Sequence, residues 1–109
     1  MAFDERFAHR LRGLFPPSIP VAEKRMFGGI AFMVRGHMCA GVVGSDLMLR
    51  VGPQAYEECL KLPHAKPMDF TGRPMKGFLY VVETEKLPDA ELREWLDRGL
   101  RFVATLPAK

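Results

Sequence analysis

The residue types best able to do chemistry in this chain are a histidine and a cysteine two positions apart, His37 and Cys39. Residues two apart on a β-strand point to the same face, so this pair could supply metal ligands or an activated thiol. A closed zinc site needs four ligands at recognisable spacings, and the only obvious additions, Cys59 and His64, do not provide them. We therefore expect no metal, no cofactor, and a buried, unreactive thiol at Cys39.

Two adjacent glycines, Gly28 and Gly29, follow two cations, Lys24 and Arg25. Backbone amides at such glycines could form an anion-binding nest. Phosphate-binding loops lead into a helix, whereas an apolar strand follows here, so we favour a β-bulge that bends this strand. Lys24 and Arg25 could contact an acidic partner, although solvated charges beside a strand are the simpler interpretation.

The sequence shows no arrangement typical of a catalytic site. Ser18 and Ser45 lie in turn contexts rather than in a nucleophile elbow, and no pair of acidic residues is spaced for acid–base catalysis. We therefore predict that the protein is not an enzyme. A small-molecule-binding protein or an enzyme of unknown chemistry remains an alternative.

Size and composition limit the class of protein. The 109 residues suit one domain, and 48% hydrophobic with 27% charged residues is ordinary for a globular protein. No apolar run approaches the ~20 residues that cross a bilayer, and no basic head precedes an apolar block at the start. We expect a cytoplasmic protein, and the net charge of +3 permits an acidic partner without requiring one.

Hydrophobic periodicity predicts the element order α-β-β-β-α-β-β-α. The predicted helices cover residues 3–14, 52–60 and 88–105, and the predicted strands cover residues 30–34, 38–43, 46–51, 68–70 and 77–82. Glycine in Arg35-Gly36 and Gly44-Ser45 favours two-residue hairpin turns between the first three strands. This order predicts a two-layer α+β domain over residues 1–109, with an antiparallel sheet and helices on one face.

The central strands are apolar on both faces, which is unusual for strands covered on one side only. Three helices can cover only one face of a five-stranded sheet, so we expect a second protein surface to cover the other. The residues predicted to form this interface are Ala31, Met33, Cys39, Val43 and Met48, with Arg50 at the rim. Leu79 and Val81 are expected on the same face of the sheet. They predict a homodimer or the docking of a protein partner.

Two motifs carry a family resemblance. Lys24-Arg25-Met26-Phe27-Gly28-Gly29 before an apolar strand, and Gly72-Arg73-Pro74-Met75 before a Phe-Leu-Tyr-Val strand, resemble the N-terminal domain of the TfoX (Sxy) competence regulators. The resemblance covers about residues 5–105. It implies a secretion-chaperone-like two-layer fold and a bacterial regulatory role, and it supplies no catalytic residues. TfoX regulators act with a cyclic-AMP receptor protein and carry a second, C-terminal domain, which we expect this chain to lack.

Direct nucleic-acid binding is the remaining alternative. A basic stripe would comprise Arg6, Arg10, Arg12, Lys24, Arg25, Arg73 and Lys76. No helix-turn-helix, zinc-finger or ribonucleoprotein-type aromatic signature accompanies it, and Asp4, Glu5 and Glu23 dilute its charge. The sequence therefore favours a non-enzymatic regulatory or adaptor protein that acts by protein–protein association.

Overall fold

The computed structural model describes residues 3–26, 28–68 and 77–107 of the 109-residue chain. Within these residues, six strands form one antiparallel sheet in the order β1-β2-β3-β4-β6-β5. The strands are β1 (Ala22–Met26), β2 (Gly29–Val34), β3 (His37–Val43), β4 (Asp46–Arg50), β5 (Ala65–Pro67) and β6 (Phe78–Val81). The helices are α1 (Glu5–Leu14), α2 (Tyr56–Leu60) and α3 (Asp89–Val103), with a short 3-10 helix at Thr84–Lys86. The predicted α+β fold is confirmed.

The helices bury one apolar layer against the sheet. In α1 the buried side chains recur at helical spacing, and Asp4 caps the helix by accepting a hydrogen bond from the Phe7 amide at 3.1 Å. α3 packs across β3 and β4. The side chains at the centre of this layer are fully buried: Leu11, Phe32, Leu47, Leu49, Leu79 and Leu96. No helix in the ranges described is long and apolar enough to cross a membrane.

Strand β1 was not expected from the sequence. Its residues from Ala22 to Arg25 are exposed, so it lacks the apolar alternation that marks a half-buried strand. It is an edge strand paired antiparallel with β2, with Met26 opposite Gly29. Gly28 lies between the paired strand ends with a left-handed φ of 73°. The glycine pair thus belongs to a hairpin, and the predicted bulge at this position is wrong.

Gly29 has a steric role at the start of β2. A β-carbon at this position would overlap the carbonyl oxygen of Val42 on the neighbouring strand. The close approach of the two backbones therefore requires glycine. The predicted two-residue turn at Arg35-Gly36 is present, and both residues have positive φ, 56° and 85°.

Two boundaries differ after β4. α2 begins at Tyr56 rather than at Pro53, because the amides of Val51 and Gly52 both donate to the Gly77 carbonyl, at 2.8 and 3.1 Å. These bonds hold the chain against the start of β6, so residues 53–55 form a turn instead of a first helical turn. β5 occupies residues 65–67, where we expected a loop, and Met68 follows it outside the strand. The remainder of the strand predicted at 68–70 lies outside the described residues.

A bulge in β3 changes which side chains face the helices. Phe32 pairs with Ala40 whereas Met33 pairs with Met38, so Cys39 is an extra residue between the two pairs. Such a bulge interrupts strict alternation along the strand. Cys39 consequently lies in the core beneath the helices with no exposed surface. Its predicted position on the opposite face is wrong, and Met38 pairs with Met33 there instead.

Candidate protein-binding face of the sheet

The sheet face opposite the helices has an apolar centre that is already buried. The register places one residue of each strand in a central row, in the order Lys24, Ala31, Gly41, Met48, Tyr80 and Lys66. Ala31 and Met48 are 0% and 2% exposed, yet neither belongs to the core beneath the helices. Met48 lies across Gly41, where an added β-carbon would be 2.7 Å from its terminal methyl carbon. Ala31 and Met48 therefore pack internally, and their prediction as exposed interface residues is wrong.

A second row on this face retains exposed apolar surface. We use the name methionine row for two cross-strand pairs of half-buried residues, Met33 with Met38 and Arg50 with Phe78. Met33 pairs with Met38, and Arg50 pairs with Phe78 on β6. Val43 is also half-buried and pairs with Asp46 nearer the other end of the strands. Met33, Val43 and Arg50 are thus the predicted interface residues that keep accessible surface.

Arg50 is held between two phenyl rings. Its guanidinium carbon lies 5.5 Å from the ring centroid of Phe78 and 5.2 Å from that of Phe102, near the end of α3. Rings at this distance attract the cation through their quadrupoles and orient its planar head. Among residues 3–26, 28–68 and 77–107, no carboxylate lies within ion-pair distance of Arg50. Arg50 therefore presents an oriented cation at the end of β4, next to the end of α3.

Further cations stand at both rims of this face. Lys24 on edge strand β1 and Lys66 on edge strand β5 are exposed, and each lies at an end of the central row. Asp46, at the start of β4, is acidic and half-buried. Burial and the nearby Glu85 raise the pKa of Asp46, while Lys66 opposes this shift. A sheet face with an apolar centre and cations at both rims is suited to a ligand that carries negative charge.

Sequence reasoning missed Met38, Phe78 and Phe102 and misplaced two neighbours. Leu79 and Val81 are fully buried in the core beneath the helices, so their predicted place on the open face is wrong. Phe78 precedes Leu79 and, by strand alternation, faces the other way. The alternation of β6 was a usable signal for Phe78, whereas the bulge that redirects Met38 has no local sequence mark.

His37 and Cys39 have structural surroundings. The Nε2 atom of His37 lies 2.6 Å from the carbonyl oxygen of Pro107, which follows α3. Burial raises the pKa of the Cys39 thiol to about 12, an effect that the positive charge of Arg50 only partly opposes. In the parts of the chain that the structure covers, no three histidine, cysteine or acidic residues come together to hold a metal.

Several residues of the proposed basic stripe are engaged within the protein. Arg10 donates to Asp89 Oδ1 at 2.7 Å and to the Leu87 carbonyl at 2.6 Å, which ties α1 to the start of α3. Arg12 forms a two-point contact with Glu23 of β1, one bond being 2.6 Å long. Arg73 and Lys76 lie outside the described residues. The structure therefore does not present these cations as one free stripe.

The fold defines a class: a small α+β domain in which the described helices pack on one face of the sheet. The family model named TfoX N-terminal domain matches residues 14–103 of the 109. The chain belongs to this family, and the resemblance drawn from its motifs is confirmed. Of those motifs, Lys24 and Arg25 lie on β1 and Gly28-Gly29 at the first hairpin, while Phe27 and residues 72–75 lie outside the described residues. No curated protein and no solved structure gives a significant match.

Proposed function

We propose that this protein is a non-enzymatic regulatory or adaptor protein whose open sheet face binds an acidic segment of a protein partner. The observation that carries the proposal is Arg50, a cation held between Phe78 and Phe102 with no carboxylate partner among the described residues. A half-buried cation of this kind gains most from a charged acceptor, because charge-assisted hydrogen bonds are stronger than neutral ones. A partner aspartate or glutamate would provide it.

The methionine row supplies the apolar part of the binding surface. Met33 and Met38 are adjacent across β2 and β3 and half-buried, so each keeps some surface to contribute. Unbranched thioether side chains adapt to differently shaped apolar groups. We therefore expect the partner segment to place an apolar side chain against these methionines and a carboxylate at Arg50.

The charge distribution favours an acidic partner over a second copy of this chain. Lys24 and Lys66 stand at opposite rims of the face, and Arg50 lies between them along the sheet. In a two-fold symmetric dimer the same patch meets itself. Cationic rims would then face cationic rims, whereas an acidic segment would meet complementary charge at either rim.

Family membership sets the biological frame of this proposal. The protein would act in the bacterial cytoplasm in transcriptional or competence-type regulation, as the TfoX N-terminal domain family suggests. In this role the open face recruits a partner and performs no chemistry.

The test uses a fluorescently labelled peptide in which leucine and glutamate recur on one face. Its anisotropy is followed on titration with the protein, beside a peptide whose glutamates are replaced by glutamine. We expect saturable binding of the acidic peptide, weakened about tenfold or more by Arg50→Gln, since one charge-assisted contact is lost. Met33→Glu should likewise weaken binding while the protein remains folded. Arg93→Gln and Ala90→Glu, at exposed positions of α3, are the matched controls.

Four results would contradict the proposal. Equal affinity for both peptides would show that charge does not contribute to binding. An unchanged affinity in Arg50→Gln would show that Arg50 does not contribute. Light scattering that shows a dimer persisting on dilution, and lost in Met33→Glu, would assign the face to a second copy. If Met33→Glu does not fold, Met33 is a core residue and Arg50→Gln alone decides the matter. Binding to DNA that falls steeply with salt and with loss of Lys24 and Arg25 would favour the nucleic-acid alternative.

A further inference from the structure

A cleft of about 550 Å³ lies between the turn after β4 and the last two turns of α3. Its walls include Val51, Pro53 and Gln54 from the turn, and Arg98, Arg101 and Phe102 from the helix. The volume falls within the range of small-molecule sites, roughly 300–1,000 Å³. The cleft is therefore large enough for a compact organic ligand.

Two arginines one helical turn apart line this cleft. The guanidinium of Arg98 lies 4.7 Å from the ring centroid of Trp95, which orients it, and Arg101 is exposed. Neither forms an ion pair with any carboxylate that the structure describes. Glu91 and Glu94 line a different cleft, next to Trp95, which Arg98 also borders. The walls of the larger cleft contain no acidic residue.

Two carbonyls at the end of α3 accept hydrogen bonds from groups other than Arg101. The carbonyl of Leu100 accepts the amide of Ala104 at 2.9 Å, and that of Phe102 accepts the hydroxyl of Thr105 at 2.6 Å. A helix C-terminus repels anions through its dipole, but these bonds occupy carbonyls that would otherwise point outward. The charge of Arg101 is consequently available to a ligand and also offsets the dipole.

The apolar lining of the cleft comes from both the helix and the turn. Phe102 packs against Gly52, where a β-carbon would overlap the ring, and Gly52 has a φ of 88° that disfavours other residues. Val51 and Pro53 continue this apolar surface. A flat ring or short hydrocarbon could lie against it while its charged end reaches the arginines.

We infer that this cleft binds a small organic anion, a carboxylate or phosphate group attached to a flat apolar body. Arg98 and Arg101 bind the anionic group, for which the planar guanidinium offers two parallel donors. Phe102, Val51 and Pro53 contact the apolar body, and the Gln54 amide lies at the cleft wall. This site is separate from the methionine row: Phe102 borders both, but neither arginine of the cleft belongs to that row.

Trp95 provides the readout, because it is the only tryptophan of the chain and lies under Arg98. Its fluorescence is followed while the full protein is titrated with phenyl phosphate, benzoate and inorganic phosphate. We expect saturation with at least one aromatic anion, at least about tenfold tighter than with inorganic phosphate, because only the aromatic probes bury apolar surface. Comparing phenyl phosphate with benzoate shows which anionic group the arginines prefer.

Matched variants separate the cleft from a general effect of positive charge. Arg101→Gln should weaken aromatic-anion binding about tenfold, whereas Arg93→Gln, an exposed arginine of the same helix outside the cleft, should leave it within about twofold. The inference is overturned if neither aromatic anion saturates below about 10 mM, if inorganic phosphate binds equally well, or if the two variants behave alike. Acidic-peptide binding should be unaffected by Arg101→Gln, so the two proposals fail independently.

Discussion

Cys39 and Gly99 meet where α3 crosses the sheet: the Cys39 sulfur lies 3.2 Å from the position that a β-carbon on Gly99 would occupy. The same position is 2.9 Å from a methyl carbon of Leu49 and 3.3 Å from the carbonyl oxygen of Arg50. The helix can approach β3 and β4 this closely only because one contact residue is glycine. The bulge at Cys39 and the glycine in α3 are thus two parts of one packing contact.

Gly99→Ala should lower the free energy of unfolding by about 1–3 kcal/mol, because the added methyl group overpacks this contact. Its natural control is Gly13→Ala in α1, where nothing lies within 4 Å of the added carbon. Alanine there should raise stability by about 0.5–1 kcal/mol through helix propensity. Chemical denaturation of the three proteins measures both changes. Equal effects of the two substitutions would contradict the close approach at Gly99.

The Cys39 thiol should be unreactive in the folded protein. It has no exposed surface, and burial raises its pKa to about 12, so almost no thiolate forms near neutral pH. Titration with a thiol reagent at pH 8 should label Cys39 only after denaturant is added. A Cys59→Ala background isolates the signal of Cys39. Rapid labelling under native conditions would contradict its place in the core.

The same thiol makes stability depend on alkaline pH. In the unfolded chain it ionises near its usual pKa of 9.0, whereas the folded thiol stays protonated to about 12. The unfolded state therefore loses a proton first, and the free energy of unfolding should fall as the pH rises above about 9. Cys39→Ala should show a shallower decline between pH 9 and 10 than the parent protein. Identical slopes would show that the thiol ionises alike in both states.

The contact between Arg12 and Glu23 joins α1 to edge strand β1 and makes stability depend on acidic pH. The hydrogen bond from Arg12 lowers the pKa of Glu23 below its usual 4.5. The stabilisation is therefore present above about pH 4.5 and is lost as the pH falls through the lower folded pKa. Both side chains are partly exposed, so Glu23→Gln should cost only about 0.5 kcal/mol at pH 7.

Acid denaturation curves check this prediction. The difference in free energy of unfolding between Glu23→Gln and the parent protein should become smaller as the pH falls below about 4.5. Protonation of Glu23 removes the same contact from the parent protein. Glu57→Gln, at an exposed position of α2 with no ion pair among the described residues, is the control. A difference that stays constant down to the unfolding transition would contradict the pairing.

His37 should anchor the chain after α3. Its Nε2 atom must be the donor to the Pro107 carbonyl 2.6 Å away, because a carbonyl can only accept. His37→Phe should lower stability by about 1 kcal/mol and speed hydrogen exchange of the Thr105 and Leu106 amides. Nuclear magnetic resonance measures both. Unchanged exchange at these amides would show that the contact does not hold the segment.

Local sequence signals were sufficient to predict an element where its own residues carry a regular apolar pattern. The buried stripe of α1, the long α3 and the turn at Arg35-Gly36 were predicted because periodicity and positive φ are properties of adjacent residues. β1 was missed because an exposed edge strand derives its regularity from pairing with β2, and its side chains bury no face.

The sequence alone determined that this is an α+β domain of the TfoX N-terminal family with apolar residues on both faces of its central strands. Only the tertiary structure decided which of those residues remain accessible. The bulge at Cys39 depends on the register between two strands. The cation–π contacts of Arg50 require Phe78 and Phe102, which are far apart in the chain, to meet at one end of the sheet. Register and long-range contacts arise from packing the whole chain, so no local pattern of residue types encodes them.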